Sequence, residues 1–438
     1  MDQSTRFTYG KLAAFFIPLG FSASLTSLTH IIINGTLSRG ENAAFIIACY
    51  AVALSLFGIV ERPIIVFRQT CSTLVKDRPG FKKLNMFMLI VIALLAGFSL
   101  LLAYTSVGDW VYVTLFNADL NMVSTISDTF KVIFLVIIFS GIRGIYQGII
   151  ISQLETKWLS IMVVVRLFLM FLAAYLFVAF DHVTSMAGAM IFLIGMMVEC
   201  AISVWKGNGL LKTYYPAKGP GLTIKEISQF YTPLVFYFVI QTFLIPIIYI
   251  FLSQSQNIEM SIASFALAYS IVNLLLSFFM YTHQLVLQLY DKNKKKVIRF
   301  FSLASLLPSL LLVILCYTPI GDAFMRSVMG ADPELSKTTL YVMQFFLFKT
   351  LVFPWVDFLN GFLMLKRLTK RMLMAQVMNI VAAVVCLTLL VYTVPQWNGI
   401  NGAIAVSIGE LIGLFAVIYI VRKASRVLGE EAGLKKEA

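Results

Sequence analysis

The stretch FFIPLGFSASLTSLTHIIINGTLS, residues 15–38, decides the fold when it is laid over FYTPLVFYFVIQTFLIPIIYIFLS, residues 230–253. At an offset of 215, Phe16-Ile17-Pro18-Leu19 falls on Tyr231-Thr232-Pro233-Leu234, and Leu37-Ser38 falls on Leu252-Ser253. Further out, still ungapped, Asn42 meets Asn257, Tyr50 meets Phe265, and Ala53-Leu54-Ser55 meets Ala268-Tyr269-Ser270. An offset of 213 then sets Tyr104-Thr105 and Gly108-Asp109 on Tyr317-Thr318 and Gly321-Asp322, and Gln147-Gly148 on Asn360-Gly361. At 214, Gly188-Ala189 meets Gly402-Ala403 and Ile194-Gly195 meets Ile408-Gly409. Apolar matches alone carry little weight in a chain this hydrophobic. An ordered series that includes polar, Gly and Pro positions marks an internal duplication.

Both quoted stretches are uncharged and long enough to cross a bilayer, which takes about 20 mostly apolar residues. The whole chain reads the same way. Of 438 residues, 60% are apolar and 13% charged, where soluble chains carry roughly a quarter charged residues; the mean hydropathy is +0.89. Runs long enough to cross fall near 11–34, 43–67, 84–107, 130–151, 158–180, 186–206, 227–252, 260–285, 298–318, 338–364, 372–393 and 401–421. The expected fold is all-α and polytopic, with twelve transmembrane helices in two parallel six-helix repeats around a central cleft. Its parts are a first lobe (1–206), a cytoplasmic linker (207–226), a second lobe (227–421) and a basic tail (422–438). Twelve spans leave about 36 residues for each helix and its loop, too few for a folded domain outside the membrane.

Positively charged short loops stay cytoplasmic. With the amino terminus inside, the cytoplasmic segments and the helix ends that meet them carry 26 of the 34 Lys and Arg residues. The external loops carry only Arg39, Arg326 and Lys337. The expectation is a multi-pass protein of the cell membrane with both termini cytoplasmic. Residues Thr5 to Lys11 lead straight into a full-length span, which reads as a first helix rather than a signal core. The net charge of +13 gathers at cytoplasmic helix ends, as at Lys292 to Lys296 and Lys366 to Arg371. It therefore reads as a topology signal that meets anionic headgroups, not as a nucleic-acid surface. The five cysteines show no CxxC spacing and the three histidines no ligand spacing, so neither a redox centre nor a metal site is expected. No nucleophile–base pair or phosphate-cradling Gly loop is visible, and an enzyme is not expected.

Six spans per repeat give both halves the same orientation, an arrangement suited to two bundles rocking around a midplane site. Helix breakers stand at equivalent points: Pro18 and Pro233 in the first span of each half, Gly141 against Pro354 in the fourth. They are candidate hinges, or fixed packing bends.

Charged side chains inside a bilayer cost about 2.5–3.5 kcal/mol each and mark pathways or partners. Nine lie within the spans: Glu61, Arg62, Lys131, Arg143, Arg166, Glu199, Lys349, Asp357 and Glu410. Candidates for binding an anion are Arg143, Arg166 and Lys349, because a guanidinium fork fits carboxylate or phosphate. The polar neighbours Gln147 and its repeat mate Asn360, with Gln241 and Asn379, join them. Glu199, Asp357 and Glu410 are candidates for ion coupling. The competing reading of all six charged candidates is structural ion pairing. Arg143 and Asp357 hold nearly equivalent places in the two halves and are expected to face each other. Lys349 and Asp357, eight residues or about 12 Å apart along one helix, need partners elsewhere.

Two six-helix repeats, each opening with an aromatic-x-Pro-Leu helix that runs into Leu-Ser (Phe16 to Ser38, Tyr231 to Ser253), resemble the multidrug/oligosaccharidyl-lipid/polysaccharide exporter superfamily. Within it, Ala268-Tyr269-Ser270, Tyr290-Asp291-Lys292-Asn293 and Val75-Lys76-Asp77-Arg78 look more like the progressive-ankylosis transporters. The resemblance implies secondary transport without ATP hydrolysis, with H+ or Na+ as coupling ion and no other cofactor. The expected function is alternating-access export of an anionic or phosphate-bearing small molecule. The alternatives are a flippase for a lipid-linked saccharide or envelope precursor, a multidrug cation antiporter, and a non-transporting scaffold. The expected partners are the bilayer and a small anionic or lipid-linked substrate, with no nucleic acid, and the chain is expected to act as a monomer.

Overall fold

A computed structural model describes residues 9–434 except 154, 156, 281, 291, 292 and 366–368. Each of the twelve apolar stretches is helical. The first half holds α1 (Tyr9–Leu37), α2 (Ala43–Leu74), α3 (Arg78–Tyr104), α4 (Ser106–Phe116), α5 (Leu120–Ile133), α6 (Val136–Ser152), α7 (Lys157–Ala179) and α8 (Ser185–Tyr214). The second half begins with α9 (Ile224–Thr242), α10 (Leu244–Leu252), α11 (Ile258–Ser277), α12 (His283–Leu289), α13 (Lys294–Ala304) and α14 (Leu307–Tyr317). It continues through α15 (Pro319–Ala323) to α16 (Pro333–Gln344), α17 (Leu347–Leu365), α18 (Thr369–Thr393) and α19 (Gly399–Leu434). Among the described residues nine spans are long and apolar enough to cross a membrane unaided, and the pair α16–α17, bent by 48°, makes a tenth. The protein is an all-α, multi-pass membrane protein.

The duplication is visible in atomic detail. Thr105 and Thr318 are repeat mates, and both cap a helix start in the same way. Each accepts from the N–H two residues on at 3.3 Å and donates to the carbonyl four residues back, at 2.6 and 2.7 Å. Asn42 and Asn257 likewise accept from Phe45 and Met260 N–H, using the Asn side chain as a cap. The mates Gly148 and Gly361 are both points of close helix approach. A Cβ on Gly148 would lie 2.6 Å from Cys71 Cβ on α2, and one on Gly361 2.8 Å from Val286 Cβ on α12. Small residues at such crossings let backbones meet where no hydrophobic force separates lipid from protein.

The helices do not break at the four expected hinges. Backbone helix continues through Pro18 in α1, Pro233 in α9, Gly141 in α6 and Pro354 in α17. The breaks fall instead at Phe134–Leu135, Phe243, Phe278–Met280, Ser305–Leu306 and Phe345–Phe346. At the first and last, single i to i+3 bonds replace the α pattern, as in Ile137 N–H to Phe134 O at 3.0 Å and Phe346 N–H to Met343 O at 3.0 Å. One tighter turn of this kind redirects a helix with no Pro or Gly. Gly141 serves packing, with Ile92 and Met88 of α3 against it.

The chain forms two compact units whose membership differs from the sequence repeats. The amino-proximal unit comprises Thr29–Ala263 with Met329–Asp332, and the carboxy-proximal unit comprises Met1–Leu28, Ser264–Val328 and Pro333–Ala438. The amino-terminal part of α1 therefore belongs with the later helices. Leu12 and Phe16 are buried in one cluster with Phe279, Val286, Val297, Phe301 and Phe358, and Phe16 meets the Phe278 ring edge-on at 5.4 Å.

In the amino-proximal unit, buried Asp77 caps α3 by accepting from Gly80 N–H at 2.7 Å. It also accepts from Gly221 N–H at 3.0 Å, tying the 215–223 connection to the helix start. Losing a cap costs about 1 kcal/mol, and a second stranded N–H adds about as much again. Asp77→Ala is expected to lower stability by about 2 kcal/mol and to open the connection near Gly221 to protease. Unchanged melting and cleavage in detergent would show that the two bonds contribute nothing.

Candidate functional site

Helices α6, α7 and α8 each deliver one charge to a dry point in the amino-proximal unit. Ser140, Arg143 and Gln147 follow at spacings of three and four on α6, and so share one face. Arg166 comes from the middle of α7, and Glu199 with Ser203 from α8. The Glu199 carboxylate is the hub. Its Oε2 accepts from Arg166 Nη1 at 2.6 Å and Arg143 Nη1 at 3.0 Å, and its Oε1 accepts from Gln147 Nε2 at 2.8 Å. Arg166 Nη2 donates to Thr29 Oγ1 at 2.8 Å. Ser140 Oγ lies 3.5 Å from Arg143 Nη2 and donates to Glu61 Oε1 at 2.9 Å. The side chains of Arg166 and Glu199 are 6% and 5% exposed, and that of Arg143 15%.

Burying charges without water requires that they pair and that their remaining donors find acceptors. This cluster meets the first condition and not the second. Two guanidiniums share the Glu199 carboxylate, and Glu61, bridged to Arg143 through Ser140 and within electrostatic reach of Arg166, balances the second positive charge. The Nε–H groups of Arg143 and Arg166 are both buried and have no hydrogen-bond partner. An arrangement with two guanidiniums and stranded donors is suited to accept an anion.

A second cluster lies in the carboxy-proximal unit. Lys349 of α17, nearly buried, sits 4.0 Å from Glu410 Oε1 on α19 and 4.8 Å from the centre of the Tyr269 ring. Asn379 of α18 packs against Gly409 and Gly413, which flank Glu410 along α19. Lys349 thus holds its charge between a carboxylate and an aromatic face, a setting that favours a cation. Asp357, the other acid on α17, does not join them. It accepts from Thr282 Oγ1 at 2.7 Å and from the His283 backbone N–H at 2.9 Å, with His283 Nδ1 at 3.1 Å. It thereby fastens the start of α12.

No family model matches the chain, and no curated protein matches it. Solved structures do. The inward-facing conformation of a multidrug resistance MATE family transporter of the MOP superfamily aligns with a TM-score of 0.76 at 11% identity, over 92% of this chain and 96% of that one. The chain has the MATE-like fold. The lipid II flippase MurJ, in an inward closed conformation, aligns at 0.66 and 13% identity, over 92% and 87% of the two chains. A MOP superfamily transporter from Pyrococcus furiosus, described as having a binding pocket of reversed polarity that suggests a different function, aligns at 0.64 and 12% identity, over 96% of each. These neighbours are transporters and a flippase rather than enzymes.

On this MATE-like fold the candidates sort into separate groups. Arg143, Arg166, Gln147 and Glu199 meet. Lys349, Asn379 and Glu410 meet. Arg143 and Asp357, expected to face each other, each have partners within their own unit, Glu199 for Arg143 and Thr282 with His283 for Asp357. Asn360 stands apart, with a buried Oδ1 that has no partner, and the Gln241 side chain lies outside the described residues. Thr29, Ser140, Ser203 and Tyr269 were not anticipated, because uncharged polar residues and tyrosines are common in spanning helices. Ser140 and Ser203 carried a signal, their spacings of three from Arg143 and four from Glu199. The structural ion pairing weighed against function is present, yet it leaves the Nε–H donors of both arginines unused.

Proposed function

We propose that the chain is a secondary transporter of the cell membrane that moves an anionic or phosphate-bearing small molecule out of the cytoplasm by alternating access between two six-helix bundles. The observation that carries this reading is the Arg143–Arg166–Glu199 hub, with its two guanidiniums and two stranded Nε–H donors. Arg143, Arg166 and Gln147 would hold the anion, with Lys349 and Asn379 as a second station. Glu199 and Glu410 would couple H+ or Na+ by exchanging their cationic partners for the ion. Pro18, Pro233, Gly141 and Pro354 would serve as points of bending during the cycle. A multidrug cation carrier is disfavoured because the hub's unused hydrogen-bonding groups are donors. The flippase reading has one observation in its favour, the match to MurJ over most of both chains, and a lipid phosphate would suit the same arginines.

The test compares growth medium and envelope lipids in cells lacking the protein and cells overproducing it. A soluble anion that appears outside only with the protein identifies an exporter; a lipid-linked precursor that accumulates without it identifies a flippase. With either substrate in hand, Arg143→Gln is expected to lower transport at least about tenfold, the value of one charge-assisted hydrogen bond, at normal protein level. Unchanged transport in that variant would overturn the role of the hub.

A further inference from the structure

The lipid-facing side of α18 and α19 carries a groove that the transport reading does not use. It has a volume of about 630 Å³ and is lined by apolar side chains and one thiol, among them Val377, Val381, Val385, Cys386, Ile408 and Ile412. Both helices are long and apolar enough to span, so the groove opens onto hydrocarbon. Hydrocarbon as a solvent is as apolar as the groove, and apolarity alone selects nothing there. Selection requires a feature at the groove's end.

That feature is charge. Helices α18 and α19 are joined by the short 394–398 connection and run antiparallel, so the start of α18 and the late part of α19 come to one end. Met372 and Val421 pack on the same buried cluster of Leu363, Ala375, Ala416, Val417 and Ile420. Their chain neighbours Arg371 and Arg422 therefore emerge together, with Lys423 beside them, and all three are exposed. From Arg371 to Val377 is six residues, about 9 Å along the helix, and the groove then continues to Leu390 for about 20 Å. One leaflet's share of a hydrocarbon core about 30 Å thick is about half of it, so the groove is long enough for one acyl chain. A phosphate beside the basic end leaves its acyl chain at the groove's mouth.

We propose that this groove binds one acyl chain of an anionic phospholipid whose phosphate is held by Arg371, Arg422 and Lys423. The site is independent of what the chain transports, since it draws on no residue of the Glu199 hub or the Lys349 cluster. Each basic residue at a membrane surface favours an anionic lipid by about fivefold.

The experiment places the full-length protein in nanodiscs of phosphatidylcholine with a small fraction of phosphatidylglycerol carrying a photoactivatable acyl chain, and maps the labelled peptides. Labelling is expected at residues 377–390 and 408–412, at least about tenfold above that from a phosphatidylcholine probe with the same chain. It should fall several-fold in Arg371→Gln/Arg422→Gln/Lys423→Gln, three changes at exposed positions, and in Val385→Trp, which fills the groove. Equal labelling by both headgroups, or labelling no stronger than on the exposed α7 face at Phe168 and Phe171, would mean ordinary surrounding lipid and would overturn the proposal. Displacement of the probe by a polyprenyl phosphate but not by unlabelled phosphatidylglycerol would overturn it too, assigning the groove to a prenyl chain.

Discussion

Glu199→Gln is expected to cost about 3–5 kcal/mol of stability, because removing the anion of a buried pair strands the opposite charge. Here it strands two guanidiniums at once, since Arg143 and Arg166 share Glu199 Oε2 at 3.0 and 2.6 Å. The substitution keeps the size of the side chain and the bond to Gln147, so the loss reads the charge alone. The double variant Arg166→Met/Glu199→Met separates stability from transport. It removes the more deeply buried cation along with the carboxylate, and apolar replacement of a buried pair is commonly neutral or stabilising. It should melt within about 1 kcal/mol of the native protein and still fail to transport. A double variant as unstable as the single one would show that the pair holds the bundle together. One that transports normally would remove the hub from the mechanism.

The second large effect lies in the backbone. Gly321 and Gly108, repeat mates, each follow a Thr-capped turn in which the chain folds back on itself. An added Cβ would lie 1.6 Å from Leu315 O at Gly321 and 1.8 Å from Leu102 O at Gly108. A backbone carbonyl has no rotamer in which to move aside. Gly321→Ala and Gly108→Ala are each expected to cost about 3 kcal/mol or more, the upper end of overpacking. Gly97→Ala in α3 is the control, because nothing stands within 4 Å of its added Cβ. There Ala is the better helix former and should be neutral or gain up to about 1 kcal/mol. Equal melting temperatures for all three variants would refute the turn geometry in both repeats.

The spans were legible in the sequence because a bilayer demands long apolar runs, and this chain has little else. The repeat was legible because polar and Gly positions such as Thr105 and Thr318 must keep the same bonds in both halves. The helix breaks were not. Phe134–Leu135 and Phe345–Phe346 are ordinary apolar pairs, and a single tighter turn leaves no mark in composition. Pro354 and Gly141 weaken a helix locally, yet backbone helix continues through both. Of the site, each charged member was visible one at a time as a residue too costly to leave in lipid. Their grouping was not, because whether Arg166 reaches Glu199 or some other acid depends on how α7 and α8 are rotated. That rotation is set by packing, as at Thr29, which carries no charge to announce it.

The membership of the two units has a consequence in time. Residues up to Leu28 pack with residues from Ser264 onward, and at about 5–20 residues per second of synthesis roughly ten seconds to a minute separate the making of the two. Through that interval the amino-terminal part of α1, with Leu12 and Phe16, sits in the bilayer with its eventual neighbours unmade. Lipid must cover that face first and be displaced from it afterwards. Helix α1 therefore enters the membrane well before its packing partners are made, and the carboxy-proximal unit closes only after α11 and the helices that follow it.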